Sequence, residues 1–447
     1  MRVASVGWRW LAAFAIARAS AAQVVLVSID GLKPEYVRQA DSLGLRIPTL
    51  RALVRGGASA AGVVSAFPTV TYPNHTTMVT GVAPARHGIY ANTTFDPLRK
   101  NEGGWYWYAE DIHVPALWDA LAAQGQTSAA VHWPVSVGAR ITWNVPQIWR
   151  TGTNDDRKLI RALTTPKLLD SLERAVGIEY ADGADESVES DEKRARFVAR
   201  LIEWKRPTLT LAYLTALDHE EHAAGPWTPR AFAVLERIDA ALDTIVRSAH
   251  RAFGDRVTIA VVSDHGFVPV HTEVNLDVAL AGAGLVTPGP TASASPVDWR
   301  AMSWSAGGMA AVVLRDTADA WARTRVHKTL ESLAADSANG IAAIVERAEL
   351  NRWGAFRGVE CVVAFRLGWV PGSAFTGELR RPAPVAGMHG FLPSFPEMRA
   401  TFIIDGPGIQ AGRSLGIIDM RDVAPTLAAR LGLGMATVDG RDVLATP

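Results

Sequence analysis

The stretch Gln23-Val24-Val25-Leu26-Val27-Ser28-Ile29-Asp30-Gly31 decides how the rest of the chain is read. An apolar, valine-rich run leads straight into an acidic residue and a glycine. A strand buried on both faces of a parallel sheet has this composition. The Asp-Gly pair then marks a loop at the strand's carboxyl end, the edge of α/β sheets where ligands collect. Similar runs recur at 127–132, Leu209–Leu214, 256–263 and 400–404. Amphipathic stretches at 48–54, 115–123, 192–203 and 229–250 lie between them and read as helices. Strands alternating with helices predict an α/β fold with a central, mostly parallel sheet flanked by helices on both faces. Asp30, Asp218 and Asp264 each follow one of the apolar runs closely, so all three are expected at the same sheet edge.

The stretch 284–380 has a different character. A Pro/Ser/Thr-rich segment at 287–296 reads as a loop or linker. A strand at Met309–Leu314, a helix at 317–334 and a strand at 359–367 follow. This predicts a smaller inserted α+β subdomain over 284–380 and a discontinuous main domain over 23–283 and 381–447.

Composition narrows the partners. The 447 residues are 48% hydrophobic, and 45 Lys+Arg balance 45 Asp+Glu, so there is no basic excess for a nucleic-acid polymer or an anionic membrane surface. The lone Cys361 sits in an apolar run and reads as a core residue, with no partner for an internal disulfide. At the start, Arg2 and Arg9 precede an apolar stretch, and Ser20-Ala21-Ala22 offers small residues at a cleavage position. Residues 1–22 therefore read as a secretory signal peptide, although Arg18 interrupts the pattern. No later segment has the ~20 uninterrupted apolar residues of a membrane helix. The expectation is a periplasmic or secreted protein without a transmembrane segment. Oligomeric state has no signature in the sequence.

Six metal-ligand-type residues stand in short contexts: Asp30, Asp218, His222, Asp264, His265 and His389. Asp218 and His222 are four apart, so on a helix they face the same side. Gly266 after Asp264-His265 permits a turn that brings both side chains to one ion. Carboxylate oxygen and imidazole nitrogen suit zinc and similar divalent ions. Six such ligands suffice for two ions with open positions left for a substrate. Each residue also has a plainer use, as a turn, a cap or an exposed helix position; Glu220 and Glu221 between Asp218 and His222 are exposed types. Thr71 falls at or just before the N-terminus of a helix opened by Pro73, where backbone N–H groups attract anions such as phosphate. It reads either as an N-cap or as a hydroxyl nucleophile activated by a cation. Two uses are open to Trp105-Tyr106-Trp107-Tyr108: a wall over the site, or core packing.

The ordered set of Pro68-Thr69-Val70-Thr71-Tyr72-Pro73-Asn74-His75, Val79-Thr80-Gly81, Pro84, His87-Gly88-Ile89 and Asn92 resembles the nucleotide pyrophosphatase/phosphodiesterase family of the alkaline phosphatase superfamily. Gly225-Pro226 after His222, His389-Gly390, Asp422-Val423-Ala424-Pro425-Thr426-Leu427 and Asp439-Gly440-Arg441 extend the resemblance over most of the chain. It implies an alkaline-phosphatase-like fold and two Zn2+ per chain. Asp218, His222 and His389 match the ligands of one zinc; Asp30, Asp264 and His265 match those of the other, which also binds the oxygen of Thr71. Thr71 matches the nucleophile, and Asn92 the amide that donates to a phosphate oxygen. Tyr72 matches an aromatic that flanks a substrate group, whereas His75 and His87 match positions that are not ligands. One departure is that Asp218-His219-Glu220-Glu221-His222 lacks the small residues usual between that Asp and His.

The expected activity is hydrolysis of a small-molecule phosphodiester or pyrophosphate through a phospho-threonine intermediate. Alternatives are a phosphomonoesterase or a phosphonate hydrolase on the same scaffold, or an inactive metal-binding pseudoenzyme. Threonine-nucleophile monoesterases of the superfamily add a Lys-x-Arg pair; the corresponding Trp133-Pro134-Val135-Ser136-Val137-Gly138 has no cation, which favours diesters. Arg140 is the nearest one beyond it.

Overall fold

The computed structural model describes residues 22–445, apart from 99, 101–103, 151, 152, 154, 181–184, 292, 293 and 436. The expected signal peptide thus lies outside the described residues, except for Ala22. At the centre is an eight-stranded sheet in the order Arg413–Ser414, Ala58–Ser59, Phe402–Asp405, Val257–Val262, Gln23–Ile29, Leu209–Leu214, Ser128–Val131, Trp143–Val145. The last five are mutually parallel, and Phe402–Asp405 runs antiparallel to its neighbours on both sides.

Side chains alternate across the sheet, and the first strand shows what that does. Val25, Val27 and Ile29 enter one core, while Val24 and Leu26 enter the other. On the first side the strand packs with the long helices Val188–Lys205 and Pro229–Phe253, whose Phe197, Leu201, Leu235 and Leu242 belong to the same core. On the second lie the helices Leu117–Ala123 and Val423–Leu431, with Leu117, Leu121 and Leu427. Two-sided burial explains why the central strands read as continuous apolar runs.

A second sheet is four-stranded and antiparallel, in the order Ala301–Ser305, Met309–Leu314, Cys361–Phe365, Ile341–Glu346. Ala310, Val312, Cys361 and Val363 face a core shared with the helix Ala320–Ala335. That core also takes in Val274 and Leu276 from before position 284, and Phe391 and Met398 from beyond 380. On the opposite face, Met309, Ala311 and Val362 pack with Phe67 and Val70. The second sheet therefore braces the segment that leads into Thr71. Among the described residues, no helix is long and apolar enough to cross a membrane.

Candidate active site

Strand register brings the acidic residues together. Ile29 pairs with Leu214 and Ser28 with Val262, so the residues that follow these three strands leave the sheet at one level. Asp30 follows the first strand directly. Asp218 and His222 sit on the helix Ala216–Ala224 after the second. Asp264 and His265 follow the third, and His389 comes in on the segment that returns from the second sheet.

Local geometry aims each side chain. Asp218 and His222 face each other across one helical turn, with Nε2 3.4 Å from Oδ2. At Gly266 the chain turns without a positive φ, and Asp264 and His265 fall in one candidate triad. Glycine is needed there because the Glu397 carbonyl oxygen lies 2.0 Å from where a Cβ would stand. Thr71 occupies the first turn of the wholly buried helix Thr71–Thr80 and makes no capping bond, so the N-cap reading fails: Val70 holds that position. Asn74 fixes the approach to it. Its Oδ1 accepts from Ala66 N (2.7 Å), and its Nδ2 donates to the carbonyls of Pro68 and Val70.

The polar atoms converge. His265 Nε2 is 3.3 Å from Asp30 Oδ1, 3.2 Å from Asp264 Oδ2, 3.9 Å from Asp218 Oδ1 and 3.4 Å from Thr71 Oγ1. His389 Nε2 is 3.7 Å from Asp218 Oδ1. Asn92 sits astride the nucleophile candidate: Oδ1 accepts from Tyr72 N at 2.9 Å, and Nδ2 lies 3.5 Å from Thr71 Oγ1.

These residues fit a divalent cation. Asp30 Oδ1, Asp218 Oδ1 and Asp264 Oδ2 are buried without a hydrogen-bond partner. The opposite oxygens of Asp30 and Asp264 are held by the Tyr213 hydroxyl and Gly31 N. Each histidine turns Nδ1 to a backbone carbonyl: His222 to Gly387, His265 to Gly266 and His389 to Thr69, at 3.0, 3.2 and 3.2 Å. A carbonyl only accepts, so Nδ1 carries the proton and Nε2 presents a lone pair to the cluster. Burial, then mutual repulsion, pushes the Asp30 and Asp218 carboxyls well above their ordinary range; burial also raises Asp264. Burial and neighbouring imidazoles keep His265 and His389 neutral. Unpartnered carboxylate oxygens beside imidazole lone pairs are a donor set that suits a divalent cation. Two overlapping triads have ligand atoms close enough for one ion each: Asp218/His265/His389 and Asp30/Asp264/His265. His222 adjoins the first triad, its ring 5.2 Å from that of His389.

Other expectations met different surroundings. Tyr72 is only 1% exposed, its hydroxyl bonded to Gln147 Oε1 and its ring 5.2 Å from Trp105 and 6.0 Å from Trp107. It has little surface to offer a substrate, and the Trp105/Trp107 pair packs behind it as core. His75 lies outside both triads and spans the Thr71 carbonyl and Ser28 Oγ, each at 2.9 Å; His87 contacts Thr77. Glu221, an exposed type by residue class, is fully buried, and burial pushes its carboxyl up to about 8. Tyr213, Lys33 and Gln147 support the site without any local signal that could have singled them out.

Fold and site define an alkaline-phosphatase-like architecture with a cluster of candidate metal ligands at the sheet's carboxyl edge. The model of the Type I phosphodiesterase / nucleotide pyrophosphatase family matches residues 24–392, and the chain belongs to that family. An uncharacterized pyrophosphatase/phosphodiesterase of Schizosaccharomyces pombe is 25% identical over 265 residues, 55% of this chain and 45% of that protein. Human ectonucleotide pyrophosphatase/phosphodiesterase family member 5 is 27% identical over 265 residues, 56% of this chain and 46% of that one. This chain thus matches less than half the length of either curated relative. The solved human member 5 superposes with a TM-score of 0.69 at 19% identity, covering 94% of this chain and 99% of that one. An inactive threonine-to-alanine form of the murine protein, solved in complex with AMP, gives 0.68 at 19% identity over 95% and 99%.

Proposed function

We propose that this chain is a two-zinc phosphodiesterase cleaving small nucleotide-type phosphodiesters or pyrophosphates through a covalent intermediate on Thr71. The observation that carries the reading is the group of three unpartnered carboxylate oxygens around His265 Nε2, beside Thr71 Oγ1. Asp218, His222 and His389 would hold one ion, and Asp30, Asp264 and His265 the other. Bound zinc would neutralise charge at phosphorus and lower the pKa of the Thr71 hydroxyl and of water.

The chain's own groups do the rest. Thr71 Oγ1 attacks phosphorus in line, its bond to phosphorus forms, and the bond to the leaving oxygen breaks. Asn92 Nδ2 donates to a non-bridging oxygen as charge develops there. The amino end of the helix Thr71–Thr80 adds a favourable dipole. Water then attacks the threonyl phosphate, the P–Oγ1 bond breaks, and Thr71 is regenerated. Positioning and charge neutralisation supply most of the acceleration in such transfers. Tyr72 serves by fixing the backbone at Thr71, through its N–H on Asn92, rather than by touching substrate.

The AMP complex of the murine relative supports a nucleotide-type substrate. The names of the ectonucleotide relatives and the signal-like residues 2–22 support export to the periplasm or the exterior. The test pairs elemental analysis with hydrolysis of a nitrophenyl nucleotide diester. Close to two zinc ions per chain and turnover that chelator removes are expected. A metal-free protein, or full activity in Asp264→Ala, would overturn the proposal.

A further inference from the structure

We infer that Glu221 is a positioning residue that sets the spacing between the two metal subsites by pinning the ligand helix to the Asp30 loop. The inference rests on the two-ion reading above.

On the helix Ala216–Ala224, Asp218 and His222 share a face, and Glu221 lies about a quarter-turn round from His222. Its carboxyl therefore points away from the ligand face. It is fully buried there, against the residue that follows Asp30: a Cβ on Gly31 would stand 2.9 Å from Glu221 Oε2, 3.4 Å from the Phe267 ring and 3.5 Å from the Asp218 Cα. Gly31 also has φ +70°, so the chain keeps this contact only with glycine.

The Tyr36 hydroxyl, from the helix Pro34–Arg38 just after the Asp30 loop, donates to Glu221 Oε1. The Tyr36 hydroxyl oxygen in turn accepts from Trp227 N at 3.0 Å, beyond the end of the ligand helix. Lys33 Nζ, from the same loop, donates to the carbonyls of Phe267 and Glu397, both at 2.8 Å. The Phe267 ring in turn packs on His222 and His389, at 4.8 and 5.4 Å. The Asp30 subsite and the Asp218/His222 subsite thus meet through one buried carboxyl, and among the described residues no cation bonds to it. Its Oε2 has no hydrogen-bond partner, so burying this carboxyl costs stability. Here it fills the gap between two ligand-bearing elements.

The test is zinc titration against a chromogenic chelator, which reads both dissociation constants, alongside thermal unfolding. Glu221→Ala should weaken one of the two ions about ten- to a hundredfold, the range for residues that orient ligands, while the other ion binds as in the wild type. Glu221→Gln keeps shape and hydrogen-bonding capacity and should restore that affinity to within about threefold. Tyr36→Phe should weaken the same ion in the same direction, and it carries the test if Glu221→Ala does not fold. Two unchanged zinc affinities in a destabilised variant would make Glu221 a packing residue and overturn the inference alone. A wild type that holds no zinc would instead overturn the two-ion reading and this inference with it.

Discussion

Asn92 does two jobs with two atoms, and substitution can separate them. Oδ1 accepts from Tyr72 N at 2.9 Å, and Nδ2 lies 3.5 Å from Thr71 Oγ1. Asn92→Ala removes both contacts. Losing a donor to the charge that develops on a phosphate oxygen costs about 3 to 4 kcal/mol, or roughly 10²- to 10³-fold in kcat. Losing the acceptor leaves the Tyr72 amide unpaired at a buried helix start, at about 1 kcal/mol of stability or more. Asn92→Asp keeps the acceptor, so its unfolding should match the wild type. It replaces the donor with a negative charge facing the phosphate, so kcat/KM should fall further than in the alanine variant. Steady-state hydrolysis of a nitrophenyl diester, thermal unfolding and zinc content on all three proteins would check this. Zinc content should be equal in each, because Asn92 belongs to neither ligand triad. An alanine variant within about threefold of wild-type kcat, or an aspartate variant as active as wild type, would refute the donor role.

Thr71→Ala should abolish turnover while the protein still binds zinc, as measured by elemental analysis; residual turnover at wild-type rate would remove Thr71 as nucleophile. A phosphomonoester should be a poorer substrate than a diester by roughly 10²-fold or more in kcat/KM, because its extra charge asks for a further cation. Trp133 and Ser136 are buried, and Arg140 is exposed on a groove with Glu110, His113 and Asp119 that shares no residue with the metal triads. A faster monoester reaction that Arg140→Ala reverses would defeat that expectation. Asp277, buried and bonded to Ser303 N and Oγ, has its carboxyl pushed up by burial from 3.8 to about 6. Its raised folded value favours the protonated native state, so this contribution is complete below 3.8 and is lost as pH rises through about 6. Relative to wild type, Asp277→Asn should gain up to about 3 kcal/mol between pH 4 and pH 7 in denaturant unfolding; equal pH profiles would contradict it. Mass spectrometry of native protein should find an N-terminus near Gln23; intact Met1 on cytoplasmic protein would reverse the export proposal.

Much of the architecture was written locally. Buried parallel strands must be apolar on both faces, so Gln23–Ile29, Leu209–Leu214 and Val257–Val262 stood out as continuous runs. The i, i+4 spacing of Asp218 and His222 placed them on one helical face before any contact was known. Edge strands were less visible. Trp143–Val145 is three residues long, and Ile341–Glu346 is partly exposed at the edge of its sheet, so neither presents an unbroken apolar run.

The chain's order alone carries the chemical groups, their spacing and the period of the elements that bear them, because propensity and patterning act over a few residues. Which polar side chains are dry depends on packing between distant segments. Glu221 looks solvated by residue type yet is sealed against Gly31, and Tyr72 looks available yet is enclosed by Gln147 and Trp105. Tyr213 reaches Asp30 from a neighbouring strand, with nothing local to mark it. Burial and orientation depend on surfaces supplied by segments tens to hundreds of residues away, and those surfaces exist only after the sheet, its helices and the second sheet have packed.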